Sequence, residues 1–223
     1  MTEQAGDGSV ALKPLILVPA VITLAITLLR LTGEVLEWSP QFFSREAGGA
    51  MAIVGIVWLV PVFGAYFAVK LVQMGHGPSG IGRVFGWAVL GLLLFVGAGF
   101  LGRILPFAQG GRRFILLFAV GSIAAVWVAF RGWPALGRVL VAYGLAARVP
   151  VAVVMLVTIL ANWGTHYEKG PPGFPEMGAL AKWFWIGLVP QLTLWMAFTV
   201  IVGALFGGVA AAVTGRRPKT AAA

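Results

Sequence analysis

The sequence predicts an all-α integral membrane protein, a polytopic bundle of about six transmembrane helices joined by short loops. Two observations carry this prediction: 60% of the 223 residues are hydrophobic, and only 10% are charged. A soluble domain has roughly 45–50% apolar residues, even with glycine counted, and about 25% charged ones. Because a water-soluble globule of this composition would expose large apolar areas, that class is excluded.

Six stretches of the chain are apolar and long enough to cross a bilayer, which takes about 20 residues as a helix. Since the connections between them are short, we expect a single transmembrane domain. The predicted spans cover residues 14–31, 50–72, 84–102, 114–130, 139–163 and 183–213.

The fifth predicted span is interrupted by Arg148 and Pro150. If this span is continuous, Arg148 lies near the bilayer centre, where an arginine costs about 2.5–3.5 kcal/mol on insertion scales and normally has a partner. Alternatively, residues 135–147 form a surface helix and a short span begins at Arg148, with Pro150 near its start, where proline is tolerated. Both interpretations remain open at the level of sequence.

The end of the first span carries charged residues at helical spacing. Arg30, Glu34 and Glu37 follow each other at i, i+4 and i+7, so a helix that continues to about Trp38 would align them in one polar stripe. Such a stripe could bind a cation or move protons. The alternative is a helix that leaves the membrane with a solvated charged face.

A polar, proline-rich segment, residues 162–175, follows the fifth span on the same predicted side as Glu34 and Glu37. We therefore expect one membrane face where Glu34, Glu37, His166 and Asn162, with Arg103 near them, surround a ligand. An ordinary loop with aromatic side chains in the headgroup layer is the alternative. Gln191 follows Pro190 in the sixth span, where it either lines a path or hydrogen-bonds the backbone carbonyl that proline leaves free. The full set of ligand or ion-path candidates is Arg148, Glu34, Glu37, His166, Arg30, Asn162 and Gln191.

No catalytic residue, metal site or cofactor is predicted. The chain has no cysteine and only two histidines, His76 and His166, in loops on opposite predicted faces, so haem is disfavoured and zinc would need carboxylate ligands. The net charge of +9 comes from lysines and arginines scattered at span ends. This distribution is typical of anchoring to anionic lipid rather than of nucleic-acid binding.

Orientation and partners are weakly encoded. Lysine and arginine number eight on the side of the termini and seven on the other, while the terminal Arg216, Arg217 and Lys219 resemble a cytoplasmic anchor. We expect a bacterial inner (plasma) membrane protein with both termini in the cytoplasm. Gly203, Gly207 and Ala211 form a small-residue stripe for helix packing, either within the chain or with a second copy or a partner subunit.

Three functions fit these features. A permease or channel for a small solute or ion is favoured, because six spans with little mass outside the membrane suit transport; it predicts that Arg148 lies in a polar cavity. An accessory subunit of a larger membrane complex predicts no enclosed polar cavity. A membrane-embedded enzyme acting on a lipid-linked substrate predicts a histidine or carboxylate base beside a lateral opening.

Overall fold

The fold is a helical membrane bundle. The computed structural model describes residues 12–49, 52–105, 111–171 and 173–215. In these ranges the chain forms helices and loops, with no strand. The helices are α1 (Leu12–Val35), α2 (Leu59–Gln73), α3 (Ile81–Ile104), α4 (Gly111–Phe130), α5 (Pro134–Ala161) and α6 (Ala179–Thr214).

Five of these helices are long and apolar enough to cross a membrane; α2, with 15 residues, is shorter. Large apolar side chains are exposed on the outside of the bundle, such as Leu93, Val120 and Val153, each more than half accessible. In water this surface would be unfavourable, whereas lipid tails cover it without cost. The predicted fold class is confirmed.

The second span differs from its prediction. Its helix begins at Leu59 rather than at residue 50, and residues 52–58 form turns and irregular backbone. Non-helical backbone at membrane depth is tolerated only where protein or a cavity satisfies its polar groups. Hydropathy alone does not distinguish such a segment from a helix, which is why the prediction began too early.

Helix α5 is continuous through Arg148 and Pro150 and begins at Pro134, before the predicted 139. Of the two interpretations of the fifth span, the surface helix over 135–147 is therefore wrong. Arg148 lies halfway along α5 and is 3% exposed. Its neighbour Val149 is half exposed on the lipid side, so the helix turns the guanidinium inward and an apolar side chain outward.

Helix α6 is irregular in its first half. A π-helical turn covers Trp183–Leu188, Pro190 follows, and Thr193 departs from helical geometry with φ −122° and ψ −72°. π-Turns are frequent at functional sites because they redirect side chains within a helix. Here the irregular half carries Gln191.

Small residues bring α2 and α6 into close contact. A Cβ atom on Gly64 would collide with the backbone of Gly203, and one on Gly207 would collide with Leu136 of α5. The predicted stripe of Gly203, Gly207 and Ala211 thus packs helices inside the chain. Association with a second copy or a partner subunit through it stays a prediction.

Orientation also stays a prediction. The terminal residues Arg216, Arg217 and Lys219, and Pro172 of the polar loop, lie outside the described residues. Successive helices alternate in direction, so α1 and α5 end on the same side of the bundle, where α2 and α6 begin. We call this side the loop face.

Candidate functional site

A cavity of about 550 Å³ enters the bundle from the loop face. It is lined by α1, the irregular segment 52–58, the start of α2, α5 and α6, and it reaches from the loops past Arg148 to Val202. Most of its lining is apolar, and the polar side chains are few. This combination is typical of small-molecule sites, which range over roughly 300–1,000 Å³. The charged and polar lining residues are Thr27, Arg30, Arg148, His166, Tyr167, Lys169 and Gln191.

Arg30 organises the wall near the loop face. Its Nε donates to Glu34 Oε1 at 2.8 Å, and its two Nη atoms donate to three backbone carbonyls. These carbonyls belong to Ser44, Gly49 and Val54, at 3.1, 3.2 and 2.8 Å. Arg30 therefore satisfies the irregular backbone that replaces the start of the predicted second span.

Gly49 is required beside this arginine. Its φ of +65° lies in the left-handed region, and a Cβ atom there would collide with the guanidinium of Arg30.

Glu34, at the end of α1, contacts the loop that follows α5. It is fully buried, accepts the backbone N–H of His166 at Oε2 (2.8 Å) and faces His166 Nδ1 at 2.5 Å. His166 opens a short 3₁₀ turn, His166–Glu168, whose capping box pairs Thr165 with Glu168. The cluster of Arg30, Glu34 and His166 is thus held by the loops that follow α1 and α5.

The pKa of His166 is lowered. Burial is the main cause, and the positive charges of Arg30 and Lys169 also lower the pKa, whereas the hydrogen bond that Glu34 accepts from the ring and the negative charge of Glu34 raise it. His166 is therefore neutral near pH 7, and Glu34 offsets the charge of Arg30.

This lowered pKa predicts a pH dependence. Because the folded protein binds this proton less readily than the unfolded chain, the His166 contribution to stability is present above the ordinary pKa of about 6.5 and is lost as the pH falls. We expect the free energy of unfolding to fall between about pH 8 and pH 5. In His166→Gln this fall should be smaller, as measured by denaturant unfolding across the pH range. Identical pH profiles for the two proteins would contradict the assignment.

Arg148 is the deepest charged residue of the cavity, and we call its level the floor; beyond it the lining is apolar and includes Phe198 and Val202. Its guanidinium lies over the ring of Trp195, 4.9 Å from the centroid, and its Nε has no hydrogen-bond partner. Ion pairs join Arg30 to Glu34 and Arg45 to Glu37, and Arg148 belongs to neither. A buried cation thus lines the cavity, and no carboxylate of the described residues pairs with it.

Beyond Arg148, the bundle is closed by an aromatic seal of Phe63, Phe67 and Tyr143. The ring of Tyr143 contacts both phenylalanines edge-on, each at 5.4 Å between centroids. Its hydroxyl hydrogen-bonds Thr23 of α1 at 2.9 Å. All three rings are less than a tenth exposed, so they fill the space between α2 and α5 at this level.

Gln191 lies higher in the cavity, opposite Met155. Its Nε2 approaches the Met155 sulfur at 3.6 Å, while its Oε1 is buried without a hydrogen-bond partner. Gln191 was expected to hydrogen-bond a backbone carbonyl that Pro190 leaves free; its Nε2 instead contacts Met155. Its side chain is directed to the cavity side of α6.

Comparisons with known proteins give no match: no family model fits the chain, and neither a curated protein nor a solved structure is significantly similar to it. Its function is therefore inferred from the geometry of the site.

The predicted site residues divide into two groups. Arg30, His166, Arg148 and Gln191 line the cavity, and Glu34 lies directly behind them. Glu37 and Asn162 do not join them. Because α1 ends at Val35, Glu37 leaves the predicted stripe and pairs with Arg45 at the surface (2.7 Å), while Asn162 caps α5 in a left-handed conformation. Arg103, at the end of α3, is not among the cavity residues.

Among the lining residues that were not predicted from the sequence, Lys169 and Trp195 have the largest effect on the electrostatics of the cavity. Lys169 was visible as part of the polar loop. Trp195 gave no signal, because a tryptophan in an apolar helix is ordinary until an arginine on another helix is known to face it.

Proposed function

We propose that the protein is a permease for a small solute, which enters through the cavity on the loop face. The observation that carries this proposal is Arg148, a buried cation without a carboxylate, at the floor of a cavity halfway through the bundle. Charged residues at such depth are expensive and mark substrate or ion paths. An irregular helix beside the site, here the first half of α6, is a further feature of transporters.

The sign of the charge supports an anionic solute. Arg30 is offset by Glu34, so Arg148 and Lys169 supply the net charge of the cavity. Lys169 is exposed and lies at the entrance, and Arg148 lies at the floor. Two cations in this order attract an anion inward.

The location of the protein in a bacterial inner membrane, with both termini in the cytoplasm, belongs to the same proposal. The loop face would then be periplasmic, and the solute would enter from outside.

The competing functions differ in what they require. An accessory subunit needs no polar cavity, so the cavity disfavours it. A membrane-embedded enzyme is favoured by one observation: His166, which lines the cavity, has its Nδ1 on the Glu34 carboxylate, and this contact would orient the ring as a base. Yet Glu34 also pairs with Arg30, which reduces its effect on His166. If the protein is instead a membrane-embedded enzyme with His166 as its base, His166→Gln abolishes turnover of a lipid-linked substrate.

The permease is tested by solute-driven swelling of proteoliposomes, followed by light scattering with a panel of organic acids, amino acids and sugars. We expect swelling with anionic solutes. Val202→Trp, which fills the cavity beside its floor, should abolish it. The matched control is Val209→Trp on the same helix, where the side chain faces outward.

A one-sided receptor is distinguished from a permease by access from the opposite face. Ala204 lies in the packed core, and the chain has no native cysteine. In a permease that alternates between two open states, Ala204→Cys reacts with an impermeant thiol reagent added at the face opposite the loops. Absence of both that reaction and swelling would overturn the proposal.

A further inference from the structure

The cavity contains one buried donor and one buried acceptor that the protein leaves unused. Arg148 Nε and Gln191 Oε1 are both inaccessible to solvent and without hydrogen-bond partners among the described residues. Leaving such groups unpaired costs free energy, and buried polar groups are nearly always satisfied. Both residues line the cavity, so a ligand toward which the two side chains turn would supply both partners and recover this cost.

The unpartnered donor, the guanidinium of Arg148, favours an anionic ligand. A guanidinium presents N–H groups in a planar fork that matches a carboxylate. The Trp195 ring lies over the guanidinium, which positions its plane. Arg148 is the one unbalanced charge in the buried part of the described cavity, since Lys169 is exposed at the entrance. One carboxylate therefore neutralises Arg148, and a second at the level of Gln191 would remain buried and unpaired.

The acceptor lies well above the floor. Along α5, Met155, which Gln191 contacts, follows Arg148 by two turns, about 10 Å at 1.5 Å per residue. Along α6, Gln191 precedes Trp195, which contacts Arg148, by one turn, about 6 Å, so the two side chains are about 6–10 Å apart along the bundle. The donor that satisfies Gln191 is therefore several atoms from the carboxylate. Val151, about one turn after Arg148 on α5, lies between the two levels, and the lining there is apolar.

We propose that the cavity binds a small organic monocarboxylate with an apolar, ring-sized body and a neutral hydrogen-bond donor at its far end. The carboxylate accepts from Arg148, the body packs against Val151, and the donor reaches Gln191. This inference rests on the proposed function, since it names the class of solute that the permease takes.

The test is isothermal titration calorimetry on the purified full chain in detergent, with three matched probes. 4-Hydroxyphenylacetate has the carboxylate, the ring and the far donor; phenylacetate lacks the donor; 4-hydroxyphenylacetamide lacks the charge. We expect 4-hydroxyphenylacetate to bind with the lowest Kd, phenylacetate about tenfold more weakly, and the amide not measurably, since each loss removes one hydrogen-bonded group. Inorganic phosphate should not compete.

Two variants locate the binding. Arg148→Met should raise the Kd of 4-hydroxyphenylacetate about tenfold or more, the loss expected for a charge-assisted hydrogen bond. Gln191→Met should remove the difference between 4-hydroxyphenylacetate and phenylacetate. The control is Arg138→Met, an exposed arginine on the same helix, which should bind as the unchanged protein does.

The inference is overturned if the amide binds as tightly as the acid, if phosphate competes, if Arg148→Met retains full affinity, or if neither acid binds at about 10 mM. These outcomes concern binding alone. If the acids bind as expected and proteoliposomes do not swell, the permease is wrong and the carboxylate site stands.

Discussion

Replacement of Arg30 by methionine is expected to destabilise the protein by about 3–5 kcal/mol, the loss found when one partner of a buried ion pair is removed. The side chain of Arg30 is 9% exposed and that of Glu34 is fully buried, so the variant leaves a carboxylate in the bundle without its cation. It also leaves the carbonyls of Ser44, Gly49 and Val54 without their donor. The free energy of unfolding in detergent measures this loss.

The control for Arg30 is Arg45→Met. The pair of Arg45 and Glu37 has a similar distance, 2.7 Å, but its side chains are 33% and 73% exposed. Exposed pairs contribute about 0–1 kcal/mol, so this variant should change little. Arg30→Lys retains the charge but cannot donate in four directions, and we expect a loss between the two. Equal losses for Arg30→Met and Arg45→Met would refute the organising role of Arg30.

Replacement of Arg148 by methionine is expected to abolish solute-driven swelling without destabilising the protein. Removing an arginine from the middle of a helix long enough to span the membrane is expected to recover up to about 2.5–3.5 kcal/mol. Part of this gain is offset by loss of the contact with Trp195, since a cation over a ring contributes about 0.5–2 kcal/mol. The net change in the free energy of unfolding should be zero or a gain.

Loss of swelling without loss of stability distinguishes a functional arginine from a structural one. If Arg148 held the bundle together, its loss would lower stability and activity together, as for Arg30. A fall of more than about 1 kcal/mol in Arg148→Met, with no change in Arg138→Met, would therefore contradict a functional role.

The sequence predicts the membrane fold well, because apolar runs of span length follow directly from the thickness of the hydrocarbon core. It also singles out Arg148, since a charge within such a run is rare. The start of α2 is not predictable in this way. Residues 52–58 are as apolar as a helix, and their irregular backbone depends on the distant guanidinium of Arg30.

The candidate site follows from the sequence only in part. Spacing places Arg30 and Glu34 on one face, and the topology brings His166 to the same side. Glu37 fits the same spacing but lies beyond the end of α1, because φ is +55° at this residue and the helix ends at Val35. Arg148 and Trp195 face each other because α5 packs on α6. No local sequence pattern predicts this packing.

The most direct test of the site is the reactivity of a cysteine at Val202, which lines the cavity, in a chain that has no other cysteine. We expect Val202→Cys to react with impermeant methanethiosulfonates from the loop face, and Val153→Cys, on the lipid side of α5, to be protected. For each reagent, the rate with Val202→Cys is divided by its rate with a free thiol in solution. This ratio should be higher for an anionic reagent than for a cationic one, and Arg148→Met should remove the difference. Protection of Val202→Cys, or a preference for the cationic reagent, would contradict a hydrated, anion-attracting cavity.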